Sequence, residues 1–454
     1  MKALLSRLSG MQVFKIVLFG QVVSLLGSSL SRFALGIWVY QLTGSVTQFS
    51  LATFFAVAPS LILSPFAGSL VDRWDRRWAM ILSDAAAGLG TLLMAFLVWT
   101  GRAELWHLYL IIASNAAFGT LQFPAYSATM TLLIPRDQLS RANGMALLFG
   151  PSLTTLLAPL LAGFLIGTIE LKGILLLDGI TCVFALLILL AVRIPQPPEE
   201  PQDARKAKTT VLADSVYGWQ FVRKRPGLLL LLLLFAVINF AMGMVETLIT
   251  PLVLSFAPSS VLGAVVTGAG LGMLAGSILM SVWKGPERRV RAILCVLALQ
   301  GIMLLMGGMR ASAVLIGVAA FVYLACLPLI NTCSQTIWQS KIPPAVQGRV
   351  FAIRQMVTSS SIPLATLVAG PLADRLFEPL LTPGGPLADS VGRLLGVGPG
   401  RGIGLLFIVL GLLVVVAAAF GYRQASLRNV ETDLPDVPDA ADAEDAADAL
   451  PQAT

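Results

Sequence analysis

Apolar runs long enough to cross a bilayer recur along the chain, separated by short segments that carry most of its charge. Phe49–Phe66 contains no ionisable side chain, and Met80–Trp99 contains only Asp84. A crossing takes about 20 mostly apolar residues. In lipid every backbone N–H and C=O must be satisfied within the segment, so these runs predict helices. They lack the period-two alternation of a membrane barrel. Twelve spans follow, at 13–40, 46–71, 78–100, 105–131, 139–167, 173–193, 227–255, 259–283, 290–309, 313–340, 346–377 and 402–422. The expected fold class is all-α integral membrane.

Composition narrows this further. The 454 residues are 56% hydrophobic and 12% charged, with a mean hydropathy of +0.83; a soluble domain is about 45–50% apolar and about 25% charged. The first apolar run continues from Lys15 far beyond a signal-peptide core, so no cleavable signal is expected. Cys182, Cys295, Cys326 and Cys333 all fall in apolar runs and read as small buried hydrophobes rather than a disulfide framework or metal ligands. The net charge of +7 could suggest nucleic acid. Its distribution points to a lipid bilayer instead. With both termini on one side, 24 of the 31 Lys and Arg face that side and five the other, which makes the terminal side cytoplasmic under the positive-inside rule.

The chain divides into two halves, 1–193 and 227–430, by a linker at 194–226. The linker opens with a Pro- and Glu-rich stretch, and from Thr209 it becomes amphipathic. Leu212, Val216, Trp219 and Val222 fall towards one face, which predicts a helix on the inner membrane surface. The halves echo one another. Ser69, Asp75, Arg76 and Arg77 align with Ser281, Glu287, Arg288 and Arg289 at a shift of 212, and Ile134, Pro135 and Arg141 with Ile342, Pro343 and Arg349 at a shift of 208. Internal repeats of this kind are common in transporters. The run Gly398-Pro-Gly-Arg-Gly-Ile-Gly404 follows no strand and lacks Lys-Ser/Thr, so it reads as a turn and not a phosphate cradle. The Ala- and Asp-rich tail, 431–454, is expected to be disordered.

The loop between spans 2 and 3, Gly68-x-Leu70-x-Asp72-Arg73-x-x-Arg76-Arg77, resembles the signature of the major facilitator superfamily. Within it the chain looks most like the drug:proton antiporter group of macrolide-efflux proteins and the enterobactin exporter. The stretches that carry this are Trp38-Val-Tyr-Gln-Leu-Thr-Gly-Ser45, Phe221-Val-Arg-Lys-Arg-Pro-Gly227 and Gly370-Pro-Leu-Ala-Asp-Arg375, and the likeness covers about residues 10–430. The resemblance implies two pseudo-symmetric six-helix bundles in a bacterial cytoplasmic membrane, working as a monomer. It implies a secondary transporter and not an enzyme, without cofactor or metal, driven by the proton motive force. The expected activity is export of amphipathic small molecules such as drugs, secondary metabolites or siderophores by proton antiport. The alternative is an importer or lipid flippase of the same fold. Two departures stand out. The span-4 stretch reads Ala113-Ser-Asn-Ala-Ala-Phe-Gly119, without the arginine that the superfamily links to proton coupling, and the span-5 antiporter motif survives only as Ala158, Pro159, Ala162 and Gly163.

Candidate site residues fall into three groups. Asp72 ends span 2, where its own helix dipole disfavours an anion; the resemblance implies a partner at the start of span 11, near Val346–Arg349. Arg73, Arg76 and Arg77 would latch onto carboxylates, with Asp84 two turns beyond Arg77, so that Gly68 to Arg77 and Asp84 form a cytoplasmic gate. Arg32 and Glu246 form the second group. A charge at bilayer depth costs about 2.5–3.5 kcal/mol unless partnered or hydrated. The two are expected to face each other across the central cavity, Glu246 as proton or substrate-cation site, with a purely structural pair as the alternative. The third group is polar: Asn115, Gln122, Asn239, Asn331 and Gln335 either touch substrate or join helices. Asp178 reads as an interfacial helix-end acid, His107 as a solvated loop residue, and Asp374 as part of an external cap. The gate reading has a direct consequence. Asp72→Asn should abolish most transport while leaving membrane expression intact, checked by quantitative immunoblot beside a transport assay; full activity would remove the role.

Overall fold

A computed structural model describes residues 10–73, 76–134, 153–192, 211–283 and 285–434, with a few isolated positions between 135 and 152. Within them the expected spans are helices. Spans 1 to 4 are Gly10–Thr43, Val46–Arg73, Arg76–Trp99 and Leu105–Leu133, and span 6 is Glu170–Ala191. Span 5 is described over Leu153–Leu165. Spans 7 to 10 are Pro226–Leu254, Ser259–Val282, Arg289–Met309 and Ala313–Lys341. Span 11 is Pro344–Pro371, prolonged by a π-helical turn at Leu372–Phe377, and span 12 is Arg401–Arg423. Ten of the described helices are long and apolar enough to cross a membrane by themselves. The face carrying the chain termini is called the terminal face below, and the opposite one the distal face.

Lipid tails are as apolar as leucine, so burial alone does not bring spans together; close packing at small residues does. Span 5 crosses span 8 at Gly163 and Gly263. A Cβ on Gly163 would lie 2.7 Å from the Ser259 carbonyl oxygen, and one on Gly263 would lie 2.5 Å from that of Pro159. Only glycine allows this approach.

The two bundles build different interiors. The C-terminal bundle has one continuous apolar core, through Leu231, Leu252, Ile293, Ile330, Trp338 and Phe407, which reaches Ile37 and Val46 of the other bundle. The N-terminal core is divided. Leu30, Met94, Leu108 and Ile174 pack near the distal face. Val17, Met80, Leu121 and Leu189 pack near the terminal face, beside a smaller group around Phe14 and Met130. Between these groups runs a belt of polar side chains that includes Gln21, Ser28, Asp84, Gln122 and Asp178.

Three expectations change at the terminal face. The linker helix, Val211–Arg223, packs against span 11: a Cβ on Gly218 would lie 2.5 Å from the Arg349 carbonyl oxygen, and Arg349 sits 5.4 Å over the Tyr217 ring. Val222 is buried in the C-terminal core and Trp219 is exposed. The tail does not begin at 431. Val430–Asp433 is helical, and Glu431 accepts hydrogen bonds from the backbone N–H groups of Arg289 (3.3 Å) and Val290 (3.0 Å) while pairing with the Arg289 guanidinium at 3.6 Å. Lys341 donates to the carbonyls of Glu431 and Leu434 at 2.5 and 2.6 Å. The segment thus caps the positive end of span 9 and ties it to the end of span 10. Residues 435–454 lie outside the described residues. Cys295, expected to be buried, is exposed; all four cysteines are free thiols. Loss of an acidic cap costs about 0.5–2 kcal/mol, so Glu431→Ala should lower the thermal midpoint of the detergent-solubilised protein. An unchanged midpoint would show the cap to be inert.

Candidate functional site

The polar belt begins at Asp84, which is 8% exposed on span 3. Its position is roughly 12 Å from the terminal end of that helix, at 1.5 Å per residue. Gln21 Nε2 donates to Oδ2 at 2.7 Å and Gln122 Nε2 to Oδ1 at 2.9 Å; Gln122 also donates to Gln21 Oε1 at 2.6 Å. The three side chains close a ring. Asp84 is therefore no part of an arginine latch, as the sequence suggested, but a wall of the interior. Arg77 donates instead to the carbonyls of Leu189 (2.9 Å) and Leu190 (2.7 Å), where span 6 ends and its carbonyls lack helical partners. The side chains of Gly68, Leu70, Asp72, Arg73 and Arg76 lie outside the described residues, so the rest of the expected gate has no geometry here.

Asp178, expected at an interface, is 2% exposed. It accepts from Ser28 Oγ and Thr91 Oγ1, both at 3.0 Å, and so joins spans 1, 3 and 6. Its position about two turns into span 6 gave a hint of depth, but its partners lie far away in sequence. His107 is bound, its Nδ1 accepting from the Glu104 N–H at 3.2 Å in a capping box.

Among the described residues, three cavities lie within and between the bundles. One of about 570 Å³ lies in the N-terminal bundle and is lined by Gln21, Asp84, Asn115, Gln122 and Tyr126. A second, about 610 Å³, lies between the bundles against Phe49, Ala158 and Pro159. A third, about 340 Å³, lies in the C-terminal bundle and is lined by Met242, Met273, Met303, Tyr323 and Phe407. Arg32 lines the first and second, and Glu246 the second and third. The two expected charges thus stand at the two junctions. They line one cavity without forming an ion pair within 4.0 Å, and Asp178 and Glu246 are the carboxylates whose charge acts on Arg32. Among the described residues the one ion pair within 4.0 Å is Arg289–Glu431.

The polar candidates separate. Asn115 and Gln122 line the first cavity. Asn239 donates to the Phe235 carbonyl of its own helix at 2.8 Å, and Gln335 accepts from Arg354 at 2.7 Å. Asn331 is exposed and lines none of the three cavities.

On the distal face the passage is closed at two crossings. One is the Gly163–Gly263 contact, where Ser259 Oγ donates to the Gly163 carbonyl at 3.3 Å. Pro159 and Gly163 meet span 8 there, while Ala158 and Ala162 are buried in the N-terminal core. The other is Asp374, which accepts from Ser45 Oγ (2.7 Å), Val46 N (3.1 Å) and Thr47 N (2.8 Å). An anion from the second bundle caps the positive N-terminus of span 2 in the first. The distal cap anticipated for this stretch is there. Its partner could have been suspected from Ser45 directly before an apolar run.

The family model described as Major Facilitator Superfamily matches residues 17–366. Macrolide efflux protein A of Streptococcus pyogenes is 25% identical over 375 residues, covering 80% of this chain and 90% of the relative. Enterobactin exporter EntS of Salmonella paratyphi A is 24% identical over 432 residues, covering 93% and 96%. Among solved structures, a bacterial homologue of the human lysosomal transporter Spinster, inward-facing and unoccupied, has a TM-score of 0.66 at 15% identity, over 92% of this chain and 98% of that one.

The Asp374 contact can be tested directly. Removing an acidic cap costs about 0.5–2 kcal/mol, enough to change a two-state population severalfold. Asp374→Ala should therefore lengthen the spin-label distance between Gln41→Cys and Arg375→Cys in a larger fraction of molecules. An unchanged distance distribution would exclude a latch.

Proposed function

The chain belongs to the Major Facilitator Superfamily, and on that premise we propose that it exports amphipathic small molecules across a bacterial cytoplasmic membrane by proton antiport, the two bundles rocking about the passage. The observation that supports this most is the placement of Arg32 and Glu246, each lining two neighbouring cavities and, among the described residues, in no ion pair within 4.0 Å. A charge at bilayer depth is costly, and both side chains are open to these cavities, where hydration lowers that cost. Such a charge is free to meet a proton or a cargo group.

The magnitudes are adequate. Opposite charges 4 Å apart at an effective dielectric of about 20 attract by about 4 kcal/mol, and less across a longer gap. Moving a two-state equilibrium from 1:99 to 99:1 takes about 5.5 kcal/mol. Neutralising Glu246 with a proton removes its attraction to Arg32, so protonation alone biases the bundles by a useful fraction of that. Arg32 then holds the site for either the ionised carboxylate or an anionic cargo group, and proton and cargo alternate. The distal face is closed at Asp374 and at the Gly163–Gly263 crossing, as expected of a state that loads from the terminal face. The positive-inside bias makes that face cytoplasmic. The names of the relatives, a macrolide efflux protein and an enterobactin exporter, support export of bulky natural products.

The test uses inverted membrane vesicles with a tritiated macrolide and a catecholate siderophore. An inward-acid pH gradient should drive uptake of at least one of them, and Glu246→Gln should reduce the gradient-dependent part by about tenfold, the effect of about 1.4 kcal/mol. Uptake only into right-side-out vesicles would mean an importer, and gradient-independent scrambling of labelled lipid would mean a flippase.

A further inference from the structure

The Asp84 ring remains unexplained by Arg32 and Glu246. Both carboxylate oxygens accept hydrogen bonds from amide N–H groups, Gln21 on Oδ2 and Gln122 on Oδ1, and the Gln122–Gln21 bond fixes the two donors relative to each other. Each carboxyl oxygen thus has one amide donor, and the side chain is fixed in orientation towards the cavity. All the donors are neutral. No basic side chain of the described residues lies within 4.0 Å of Asp84. An anion at this depth with only neutral partners is incompletely compensated.

The surroundings hold unpaired oxygens. The same cavity is lined by Asn115, Gln122 and Tyr126, and in each of them one buried oxygen, Asn115 Oδ1, Gln122 Oε1 and Tyr126 Oη, has no hydrogen-bond partner. Unmatched acceptors gathered beside an anion ask for a ligand rich in N–H groups and positive charge. Arg32 cannot be that ligand from within. It lines the other end of the cavity, and the carboxylates that act on it are Asp178 and Glu246. The opposite bundle offers a contrasting wall, with Met242, Met273, Met303 and Phe407 beyond Glu246. Methionine and aromatic side chains adapt to apolar shapes of many kinds.

We propose that Asp84, framed by Gln21 and Gln122, is the binding site for a protonated amine on the cargo, whose apolar body extends towards the methionine-lined cavity of the second bundle. This deepens the exporter reading and rests on it for the word cargo, but the binding site itself requires no transport. Gln21 and Gln122 are positioning residues. They hold the carboxylate still and prevent it from turning to other partners. The loss of either should weaken amine binding less than the loss of Asp84.

The experiment measures binding of a dansylated long-chain primary amine and of its N-acetyl counterpart to the full-length protein in nanodiscs, by dansyl fluorescence. The two probes share the apolar body and differ in the cation. Wild type should bind the amine at least about tenfold more tightly, in the range of a hydrogen bond to a charged group. Asp84→Asn should remove the preference by weakening the amine alone, and Asp84→Glu should restore part of it. Unchanged affinity of the N-acetyl probe certifies that the variants are folded. Equal binding of both probes by wild type, no binding of either, or a preference that survives Asp84→Asn would each overturn the proposal. So would a preference lost in Glu246→Gln and kept in Asp84→Asn, which would put the cation at Glu246. Vesicle transport separates the two readings. Gradient-driven export of the N-acetyl probe as fast as the amine would refute the subsite alone, while amine-selective binding with no export would refute the exporter alone.

Discussion

Charge at mid-bilayer is the constraint on which the rest of this molecule depends. Such a group needs a partner, neutral donors or water, and the chain meets that need in three different ways. Asp178 is enclosed by hydroxyl donors from two other spans. Asp84 is held by two amides at the wall of a cavity. Among the described residues Arg32 and Glu246 form no ion pair within 4.0 Å, and both line the cavity between the bundles. The cost falls on the N-terminal bundle, whose apolar core is divided into separate groups by the polar belt. The C-terminal bundle contributes a single carboxylate to the passage and keeps one unbroken core. Pseudo-symmetry of the backbone therefore does not extend to the chemistry.

The same helix-end electrostatics recurs at both faces, where it positions the bundles. At the terminal face Arg77 meets the open carbonyls at the end of span 6, while its repeat counterpart Arg289 pairs with Glu431. Glu431 in turn caps span 9. At the distal face Asp374 caps span 2 across the interface between bundles. Each of these is an ordinary side chain at a helix terminus, where unsatisfied backbone groups and the dipole add up. Only the last joins the two bundles. It does so through three hydrogen bonds.

Much of this was legible in the sequence, and the reason differs from residue to residue. Helix number and bounds follow from run length, because the bilayer fixes how many apolar residues a crossing needs. Arg32 and Glu246 stood out because a lone charge inside such a run has few places to go. The misreadings share a cause. Asp84 was joined to the loop arginines because it lies two turns from Arg77, yet its partners are Gln21 and Gln122, on other helices. Asn239 and Gln335 look the same as Asn115 in sequence, but one bonds its own helix and another holds Arg354. The acidic composition after Glu431 concealed a short docked helix, since the residues that order it, Lys341 and Arg289, are on other spans.

By itself, then, the sequence determined the helices, their division into two related halves and the charges that had to be special, because those follow from local hydropathy, spacing and the energetics of a known solvent. Tertiary structure decided which carboxylate faces a cavity, which is walled in by hydroxyls and which locks the two halves together. Each of those outcomes depends on donors dozens to hundreds of residues away, such as Ser28 for Asp178 and Ser45 for Asp374. No local pattern encodes a meeting of that kind, because it is fixed only when the helices have packed.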